Sequence, residues 1–530
     1  MNRLLYLPLF LISLLFIPTI AFSQSQYAKA FWNKTRQKSE KSGLRTVTQG
    51  DIDVVGTTKD GIRIIKREEY IFEFKERTKH FIENYSDNFS KIKAREIQLD
   101  NEEEDYNNIL LHNDKLLLFT SFENNKLEKA FLFVQELDKS TLLSVGEKKK
   151  LVEVDLSKNP LPSKSSLLAR TVDRMGKANS ATSKEDLAIK LGYVFRVTTN
   201  NDSSEVMITY QLPVARNEYK KVYVALLDKN LKLKHQKAYE LPYKESEFEM
   251  EKLGTYYLDS MGTAYISGTH ELSRKEKVKK IFSVSDDLEL KEYSFPLMKE
   301  FVIYKYALDN TNEIRMYGGY VKDINRKKKE KGVVYLSANR ESGKVEKNIT
   351  IPLEEKYQRI LNAEKYTHNF TILHNLIENK DGSVLITLED ISGSSKDITV
   401  LNLDENGVVK WSTLVSKRQY GSTYTSFYEQ KVGDKLYLIF PEHIDNKSLE
   451  LSVNDKVDDY AINSKEAMLS VVVIDLVTGK AIKEKIYRFF PKKDKEWIIP
   501  RKMAKITETE ALIYAEGDDT FKIGKITFKP

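Results

Sequence analysis

The histidines of this chain are the residues best suited to bind a metal ion or transfer a proton, and only two of the seven lie close together. His368 and His374 are six positions apart, which puts both side chains on one face of a strand running through residues 369–373. Because a strand rises about 3.3 Å per residue, the two rings would stand about 20 Å apart, too far to share one metal ion. We therefore expect no metal site and no other cofactor.

Motifs for nucleophilic, metal-dependent and nucleotide chemistry are absent from the sequence. It lacks the GxSxG nucleophile elbow, the HExxH zinc motif, the Walker loop and the GxGxxG fingerprint. It contains no cysteine, which excludes a thiol nucleophile, a Cys-based zinc site and disulfides. Aspartate and glutamate are abundant, so a carboxylate pair for glycoside cleavage stays open as an alternative, although sequence spacing does not identify one.

Lysine and arginine are concentrated in loops between apolar strands. These basic residues are Arg216, Lys220 and Lys221, then Arg274, Lys275, Lys277, Lys279 and Lys280, then Arg326, Lys327, Lys328, Lys329 and Lys331, and finally Lys492, Lys493 and Lys495. If the loops belong to consecutive repeats, they form one basic sector. Solvated loop tips of mixed charge also fit, because Glu276 and Glu330 interrupt the runs. The alternative is a face that binds an acidic polysaccharide, lipopolysaccharide or an acidic partner.

A tight Asp/Asn/Gly turn recurs along the chain and indicates how these loops are positioned. Successive copies lie roughly 50 to 70 residues apart, with one longer step between Asp138 and Asp228. Asp, Asn and Gly suit such corners because they tolerate positive φ and bond their own backbone. The seven copies lie at residues 85–88, 137–140, 227–230, 285–287, 340–343, 403–407 and 475–479.

The strands beside these turns are continuous apolar runs, such as residues 222–227, 436–440 and 471–474. In a sheet with one solvent-exposed face, apolar and polar residues alternate along each strand. Continuous apolar runs therefore indicate burial on both faces. Four-stranded repeats sandwiched between neighbours predict an all-β fold, a β-propeller of about seven blades, with six or eight also compatible. The last strands are expected to complete the first blade, so that the two chain ends close the ring. Two β-sandwich domains are the competing architecture.

The propeller prediction assigns positions to the histidine and to the basic loops. His374 and Asn375 fall on the innermost strand of the sixth blade, where they are candidates to face the central channel. The basic loops of blades three to five fall on the rim that also carries the connections between blades. One of these connections holds Lys492 and Lys493 beside Trp497.

The N-terminus predicts export. Residues 1–23 contain Arg3, an apolar run, and small residues Ala21 and Ser23 at the positions that precede a signal-peptide cleavage site. An uncleaved anchor helix is the alternative. Without a cysteine the protein is not a lipoprotein, and after cleavage we expect a soluble protein with no stable membrane anchor, in the periplasm or outside the cell.

The remaining chain divides into three parts. Residues 24–45 are polar and predict an N-terminal arm, residues 46–530 predict the propeller, and residues 155–190 predict a polar insertion within it. The net charge of +7 is a weak bias over this length and does not indicate nucleic-acid binding.

Several phrases of the sequence resemble those of exported, uncharacterised propeller-like proteins of Gram-negative bacteria. They are EVMITY at 205–210, KVYVALLD at 221–228 with Leu241-Pro242-Tyr243, and NLIENKDGSVLITL at 375–388. The resemblance covers about residues 190–420 and concerns blade phrases, so it implies a family without an assigned activity and transfers no site residues.

These observations favour a non-catalytic exported propeller that binds a protein or glycan partner, including an anionic polysaccharide, through one face. The first alternative is a glycan-active hydrolase or lyase with acidic residues in the channel mouth. The second is a structural component of an envelope assembly.

Overall fold

The apolar runs of the sequence form strands that are buried on both faces. In the computed structural model, the side chains of Leu436, Leu438 and Phe440 are fully enclosed, and so are those of Tyr437 and Ile439 between them. A strand with two buried faces needs a packed sheet on each side. The sheets of this chain therefore stack face to face around a central axis.

The structure describes most of the chain between residues 25 and 530. The described residues are 25–32, 37–38, 46–72, 76–100, 104–124, 126–158, 195–200, 204–215, 217–250, 256–273, 276–285, 288–296, 301–308, 312–325, 328–353, 370–391, 394–420, 425–446, 460–461, 464–494, 496–517 and 520–530. The predicted signal peptide lies outside them, and so does most of the predicted insertion.

Eight antiparallel sheets follow one another along the sequence, and we number them as blades 1 to 8. Blade 1 contains, from the channel outward, β3 Thr46–Thr57, β4 Arg63–Phe72, β5 Glu76–Tyr85 and β6 Lys91–Glu96. Blade 2 contains β7 Glu104–His112, β8 Lys115–Asn124, β9 Lys129–Leu137 and β10 Ser144–Asp155. Blade 3 contains β11 Arg196–Thr199, β12 Glu205–Leu212, β13 Tyr219–Asp228 and β14 Leu233–Lys244.

Blades 4 to 6 repeat this order with small additions. Blade 4 has an innermost strand in two pieces, and contains β15 Phe248–Met250, β16 Tyr256–Leu258, β17 Ala264–Ser273, β18 Glu276–Val284 and β19 Leu290–Pro296. Blade 5 contains β20 Phe301–Ala307, β21 Glu313–Asn325, β22 Lys328–Asn339 and β23 Val345–Pro352. Blade 6 contains β24 Phe370–Glu378, β25 Val384–Ile391, β26 Ser394–Leu403, β27 Val409–Val415 and the short β28 Gln419–Tyr420.

Blades 7 and 8 complete the ring. Blade 7 contains β29 Tyr428–Val432, β30 Lys435–His443, β31 Ala467–Asp475 and β32 Ala481–Phe489. A helical turn, α1 Pro491–Asp494, follows it, and a 3₁₀ turn spans Pro500–Lys502. Blade 8 contains β33 Glu496–Ile498, β34 Ala504–Thr507, β35 Glu510–Gly517 and β36 Thr520–Phe528, with β1 Ala28–Trp32 and β2 Gln37–Lys38 on its outer side.

The all-β propeller is confirmed, but it has eight blades, and the prediction of about seven was one short. Each of blades 1 to 7 carries one copy of the recurring turn, between its third and fourth strands. Blade 8 has none, because its outermost strand comes from the other end of the chain: β1 pairs antiparallel with β36, from Ala28 opposite Phe528 to Trp32 opposite Gly524. The last strands therefore build a blade of their own and do not complete the first. Ala28–Trp32 is also a sheet strand, where the sequence predicted only a polar arm.

Eight apolar clusters hold the ring together, and each joins two neighbouring blades. The cluster that joins blade 8 to blade 1 contains Ile65 and Tyr85 from one side and Leu512 and Tyr514 from the other. Since every blade is covered on both faces, packing joins blades 1 to 8 into a ring, and the pairing of β1 with β36 completes blade 8. Apolar burial is the dominant stabilising term for such a structure.

The recurring turns place one residue in the left-handed region of the backbone. In blades 5, 6 and 7 this residue is a glycine, as at Gly407 with φ of 81°. In blades 1 to 4 it is a large apolar residue, such as Phe89 with φ of 57° and Leu142 with φ of 59°. Both of these side chains are buried against a neighbouring blade, and that burial offsets the roughly 1–2 kcal/mol cost of the conformation.

No helix in the described part of the chain is long and apolar enough to cross a membrane.

Candidate functional site

A β-bulge shapes the innermost strand of blade 6. In the pairing of β24 with β25, Leu373 lies opposite Leu388 and Asn375 lies opposite Thr387, so His374 is an extra residue. A bulge bends its strand and redirects the side chains beside it, and bulges are common near functional sites. The Asn375 carboxamide is held in place because its Oδ1 accepts a hydrogen bond from Leu376 N at 2.9 Å.

A buried ion pair lies next to this bulge, between blades 6 and 7. Lys417 Nζ is 2.6 Å from Glu389 Oε1, and both side chains are enclosed. Glu389 extends from β25, whereas Lys417 comes from the connection that leaves blade 6. Lys417 Nζ also donates to Gln419 Oε1 at 3.2 Å. Removing charges from water is costly, and the multiple hydrogen bonds to this pair offset that cost.

The connection from blade 6 to blade 7 is fixed by buried polar contacts. Gln419 Nε2 donates to Pro441 O, and Gln419 Oε1 accepts from Ser426 N, both at 2.7 Å. Ser426 has a φ of 97°, a region that favours glycine, so the surrounding contacts must hold it there. Its Oγ donates to Glu389 Oε2 at 2.9 Å and lies 3.5 Å from His374 Nε2. The ion pair, the connection and the channel histidine are thus one network.

The Ser426, His374 and Glu389 side chains do not form a nucleophilic triad. In such a triad the histidine lies between the hydroxyl and the carboxylate, whereas here the hydroxyl donates directly to the carboxylate. The Ser426 side chain is also fully buried, so no substrate reaches it. Burial lowers the pKa of His374 to about 4, and the charges of Lys417, Lys305 and Arg501 lower it too, against Glu389, which raises it. His374 is therefore neutral at physiological pH.

Glu429 is the second acidic residue of this region and lies on β29, the innermost strand of blade 7. Its Oε1 accepts a hydrogen bond from Asn375 Nδ2 across the boundary between the blades. Burial raises the pKa of Glu429 to about 7, although the hydrogen bonds from Asn375 and Thr387 and the charge of Lys305 act in the opposite direction. We call His374, Asn375, Glu389, Lys417, Ser426 and Glu429 the channel cluster.

Two exposed cations act electrostatically on His374 of the channel cluster. Lys305 lies on β20 of blade 5, and Arg501 lies in the 3₁₀ turn of blade 8. Both are close enough for their charges to lower the pKa of His374. Within the described residues, neither has a carboxylate at ion-pair distance. Residues from four consecutive blades, 5 to 8, therefore act on this polar region.

The predicted basic sector differs from this region in how its lysines are paired. Four of its lysines in the described part of the chain form ion pairs with glutamates. Lys220 Nζ lies 3.0 Å from Glu245, Lys221 Nζ 3.7 Å from Glu240 and Lys280 Nζ 2.6 Å from Glu292, and Lys277 pairs with Glu271. Lys279 is buried on β18, whereas Lys492 and Lys493 are exposed on α1. The side chains that lie outside the description are those of Arg216, Arg274, Lys275, Arg326, Lys327, Lys328, Lys329, Lys331 and Lys495, and His368 lies outside it as well.

Sequence reasoning named His374 and Asn375 as candidates to face the channel, which stays a prediction, and it did not name Glu389, Lys417 or Glu429. Glu389 and Lys417 share one signal, because each lies directly beside a buried apolar run, whereas Glu429 lies on the mostly polar strand β29. Glu389 follows the run 384–388, and Lys417 comes two residues after the buried Val415. A charged residue at such a position is rare in proteins unless it is paired. In the described residues, no group of three or more His, Asp or Glu side chains is arranged to hold a metal ion.

The residues of this region belong to blades 5 to 8 of an eight-bladed β-propeller. No family model matches the sequence, and no curated protein matches it. Among solved structures, the chain is similar to the β-propeller domain of the Trilobed protease from Pyrococcus furiosus, with 10% identity over 88% of this chain and 98% of that one, at a TM-score of 0.32.

Two further solved structures show comparable likeness. Prolyl oligopeptidase B from Galerina marginata shares 7% identity over 89% of this chain and 56% of that one, at a TM-score of 0.36. The N-terminal domain of Nup159 shares 9% identity over 92% of this chain and 97% of that one, at a TM-score of 0.29. Likeness at this level carries no argument about what the present chain binds or catalyses.

Proposed function

We propose that this protein is an exported, non-catalytic β-propeller that binds an anionic protein or glycan partner at the channel cluster. The observation that carries the proposal is the pair of exposed cations, Lys305 and Arg501, whose charges both act on His374 and which have no carboxylate partner among the described residues. Exposed cations without a carboxylate partner create a positive potential that attracts anions. The sequence of residues 1–23 supports export, and the blade phrases support a bacterial origin.

A glycan-active hydrolase or lyase is the second candidate, and Glu429 is the residue that favours it. A carboxyl group with a pKa near 7 suits a proton donor at neutral pH. Glycoside cleavage by the two-carboxylate mechanism needs a second carboxyl group that faces the substrate. Glu389 is unsuited to that role, because it is 1% exposed and both of its oxygens are engaged by Lys417 and Ser426. Binding without catalysis is therefore the better supported function.

The proposal is tested by measuring the affinity of the mature chain for heparin and for polygalacturonate at low ionic strength. We expect the K305A/R501A double variant to bind at least about tenfold more weakly, because each lost contact with an anion removes about 1 kcal/mol. Binding of the wild-type chain should fall steeply with added salt. The matched control is K277A, which removes an exposed lysine already paired with Glu271, and its affinity should stay within about twofold of wild type.

Two results would contradict the proposal. The first is a wild-type chain that binds neither polyanion at low salt. The second is a K305A/R501A variant of unchanged affinity together with a K327A/K328A/K329A variant that no longer binds. The second result would move the binding face to the basic loops of blades 3 to 5.

A further inference from the structure

The connection from blade 7 to blade 8 runs from the outer edge of the propeller toward the channel. It leaves β32, the outermost strand of blade 7, and continues through α1, β33 and the 3₁₀ turn to β34 on the inner side of blade 8. The 3₁₀ turn lies against β35 and against β3, the innermost strand of blade 1. Outermost and innermost strands are three strand spacings apart, so this connection covers about 15 Å along the radius of the propeller.

Both turns of the connection are fixed to the blades. Lys492 N, in α1, donates to Ser464 O at 3.1 Å, which ties this turn to the segment before β31 of blade 7. In the 3₁₀ turn, Pro500 is buried and its carbonyl accepts from Met503 N at 3.0 Å. Met503 packs in the apolar cluster that joins blades 7 and 8. The exposed side chains beside these residues are therefore presented from a rigid backbone.

Three exposed cations of this connection have no carboxylate at ion-pair distance among the described residues. Lys492 and Lys493 stand at its outer end on α1, and Arg501 stands at its inner end in the 3₁₀ turn. The other charged side chains described in the connection are neutralised in two pairs, Glu496 with Lys522 at 2.6 Å and Lys502 with Glu516 at 3.2 Å. The side chains that lie outside the description are those of Asp494 and Lys495.

An aromatic ring lies beside the outer cations. Phe490 is half-buried, and its ring centre is 5.8 Å from Lys493 Nζ and 5.2 Å from Arg488 Cζ. The exposed part of an aromatic ring is an apolar surface on which the C–H face of a sugar ring can pack. The lysines beside it can bind a carboxylate of the same sugar chain.

Two other connections treat their charged residues differently. In the connection from blade 6 to blade 7, Lys417 is enclosed and paired with Glu389 at 2.6 Å. The connection from blade 1 to blade 2 carries Asp100, which pairs with Lys148 at 2.5 Å. The exposed cations of the connection from blade 7 to blade 8 are therefore not a general property of connections in this fold.

We propose that a linear anionic glycan of the polyuronate class binds along this connection, with its carboxylates on Lys492, Lys493 and Arg501 and one sugar ring on Phe490. The inference rests on the proposed function, because Arg501 belongs to both sites. A polyuronate carries one carboxylate per sugar, so a single chain can reach cations at both ends of the connection. A stable protein partner needs a face of about 800 Å², whereas a narrow strip of cations fits a linear chain.

The experiment is isothermal titration of the mature chain with tetragalacturonate and with monomeric galacturonate at low ionic strength. We expect tetragalacturonate to bind at least about tenfold more tightly, because only the longer chain contacts both ends of the connection. K492A/K493A should weaken tetragalacturonate binding by about five- to tenfold.

K344A/K480A is the matched control. It also removes two exposed lysines that have no carboxylate at ion-pair distance in the described part of the chain. These two lysines directly follow the recurring turns of blades 5 and 7, at the opposite ends of the strands. Tetragalacturonate should bind this variant within about twofold of wild type, since screened charges on the far side contribute little.

F490L tests whether the partner is a glycan. The substitution keeps an apolar side chain but removes the aromatic ring, so it should weaken tetragalacturonate binding by about threefold. The same variant should bind acetylated and amidated tetraglutamate, which has four carboxylates and no sugar ring, as the wild-type chain does.

The outcomes separate this inference from the proposed function. If K492A/K493A binds tetragalacturonate as tightly as wild type while K305A/R501A binds it more weakly, the glycan does not follow the connection and the anion site of the proposed function stands. Equal losses in K492A/K493A and K344A/K480A also overturn the inference, and so does tighter binding of tetraglutamate than of tetragalacturonate. Failure of the wild-type chain to bind any polyanion overturns the proposed function itself.

Discussion

Blades 6 and 7 each enclose a Glu–Lys ion pair whose glutamate also accepts a hydrogen bond from a serine. In blade 6, Glu389 pairs with Lys417 at 2.6 Å and accepts a hydrogen bond from Ser426. In blade 7, Glu442 pairs with Lys483, also at 2.6 Å, and accepts a hydrogen bond from Ser470. Both glutamates occupy the second strand of their sheet, and all four charged side chains are enclosed.

The difference lies in where the lysine and serine come from. In blade 7 they belong to β32 and β31, so the pair ties strands of one sheet together. In blade 6 they belong to the connection to the next blade, and the serine adjoins His374 at the channel. The same trio is therefore internal to the sheet in one blade and linked to the channel wall in the other. Chemical identity alone does not assign a function to a buried ion pair.

The largest expected effect is on stability, when the lysine of either pair is removed. K417M and K483M each leave a buried carboxylate alone, which should lower the free energy of unfolding by about 3–5 kcal/mol, measured by urea titration. Only K417M should also weaken polyanion binding, because Lys417 belongs to the channel cluster, whereas Lys483 lies within the sheet of blade 7. Equal binding losses in both variants would contradict the distinction. Replacing both partners, as in K417M/E389L, should recover most of the stability.

The second prediction concerns the acid side of the pH range. The folded-state pKa of His374 is about 4, below the usual value of about 6.5, so the unfolded chain takes up this proton first. The free energy of unfolding should therefore fall as the pH drops from about 6.5 to about 4, by at most about 3 kcal/mol. H374Q should lose less stability over this window than the wild-type chain.

H443Q is the control for that measurement. His443 follows Glu442 on β30 and pairs with Asp445 away from the channel, so this variant keeps His374 and should keep the wild-type slope. If H374Q and H443Q show the same slope, the neutral state of His374 is not what makes the fold acid-sensitive.

The smallest expected effect is that the alanine and glycine variants have opposite orders of stability at the two serines. Ser426 has φ of 97°, where glycine is favoured over alanine, so S426A should be less stable than S426G by about 1 kcal/mol. Ser470 lies within β31, where glycine is unfavourable, so S470G should be less stable than S470A by about the same amount. Thermal unfolding of the four variants gives the two orders, and the same order at both sites would exclude backbone strain at Ser426.

The architecture could be predicted from the sequence because each blade is built from residues that are close together along the chain. Each blade repeats its apolar runs and its tight turn within about 50 to 70 residues, so blades 1 to 7 could be counted from the turns at Asp138, Asp228 and their equivalents. Blade 8 could not be counted this way, because its outermost strand is Ala28–Trp32, which no turn connects to β36. Because the third and outermost strands of blade 8 are far apart in the sequence, no turn between them marks this blade.

The channel cluster was predicted only in part, for a related reason. His374 and Asn375 were placed because the innermost strand of a blade can be recognised from its position in the repeat. Glu429 and Lys417 meet them only because neighbouring blades pack together, and no spacing in the sequence encodes that contact. The predicted basic loops also depended on contacts that the sequence pattern does not reveal. Lys220 and Lys280 form ion pairs with Glu245 and Glu292, which lie 25 and 12 residues further along the chain.

The pairing of β1 with β36 also determines the order in which the protein can finish folding. Ala28 and its partner Phe528 lie in strands that are separated along the sequence by all of blades 1 to 7. Blades 1 to 7 can form from contacts within each repeat, whereas β1 stays unpaired until β36 is in place. Ring closure is therefore a late event of high contact order, and a chain truncated within β36 would leave the first strand without its partner.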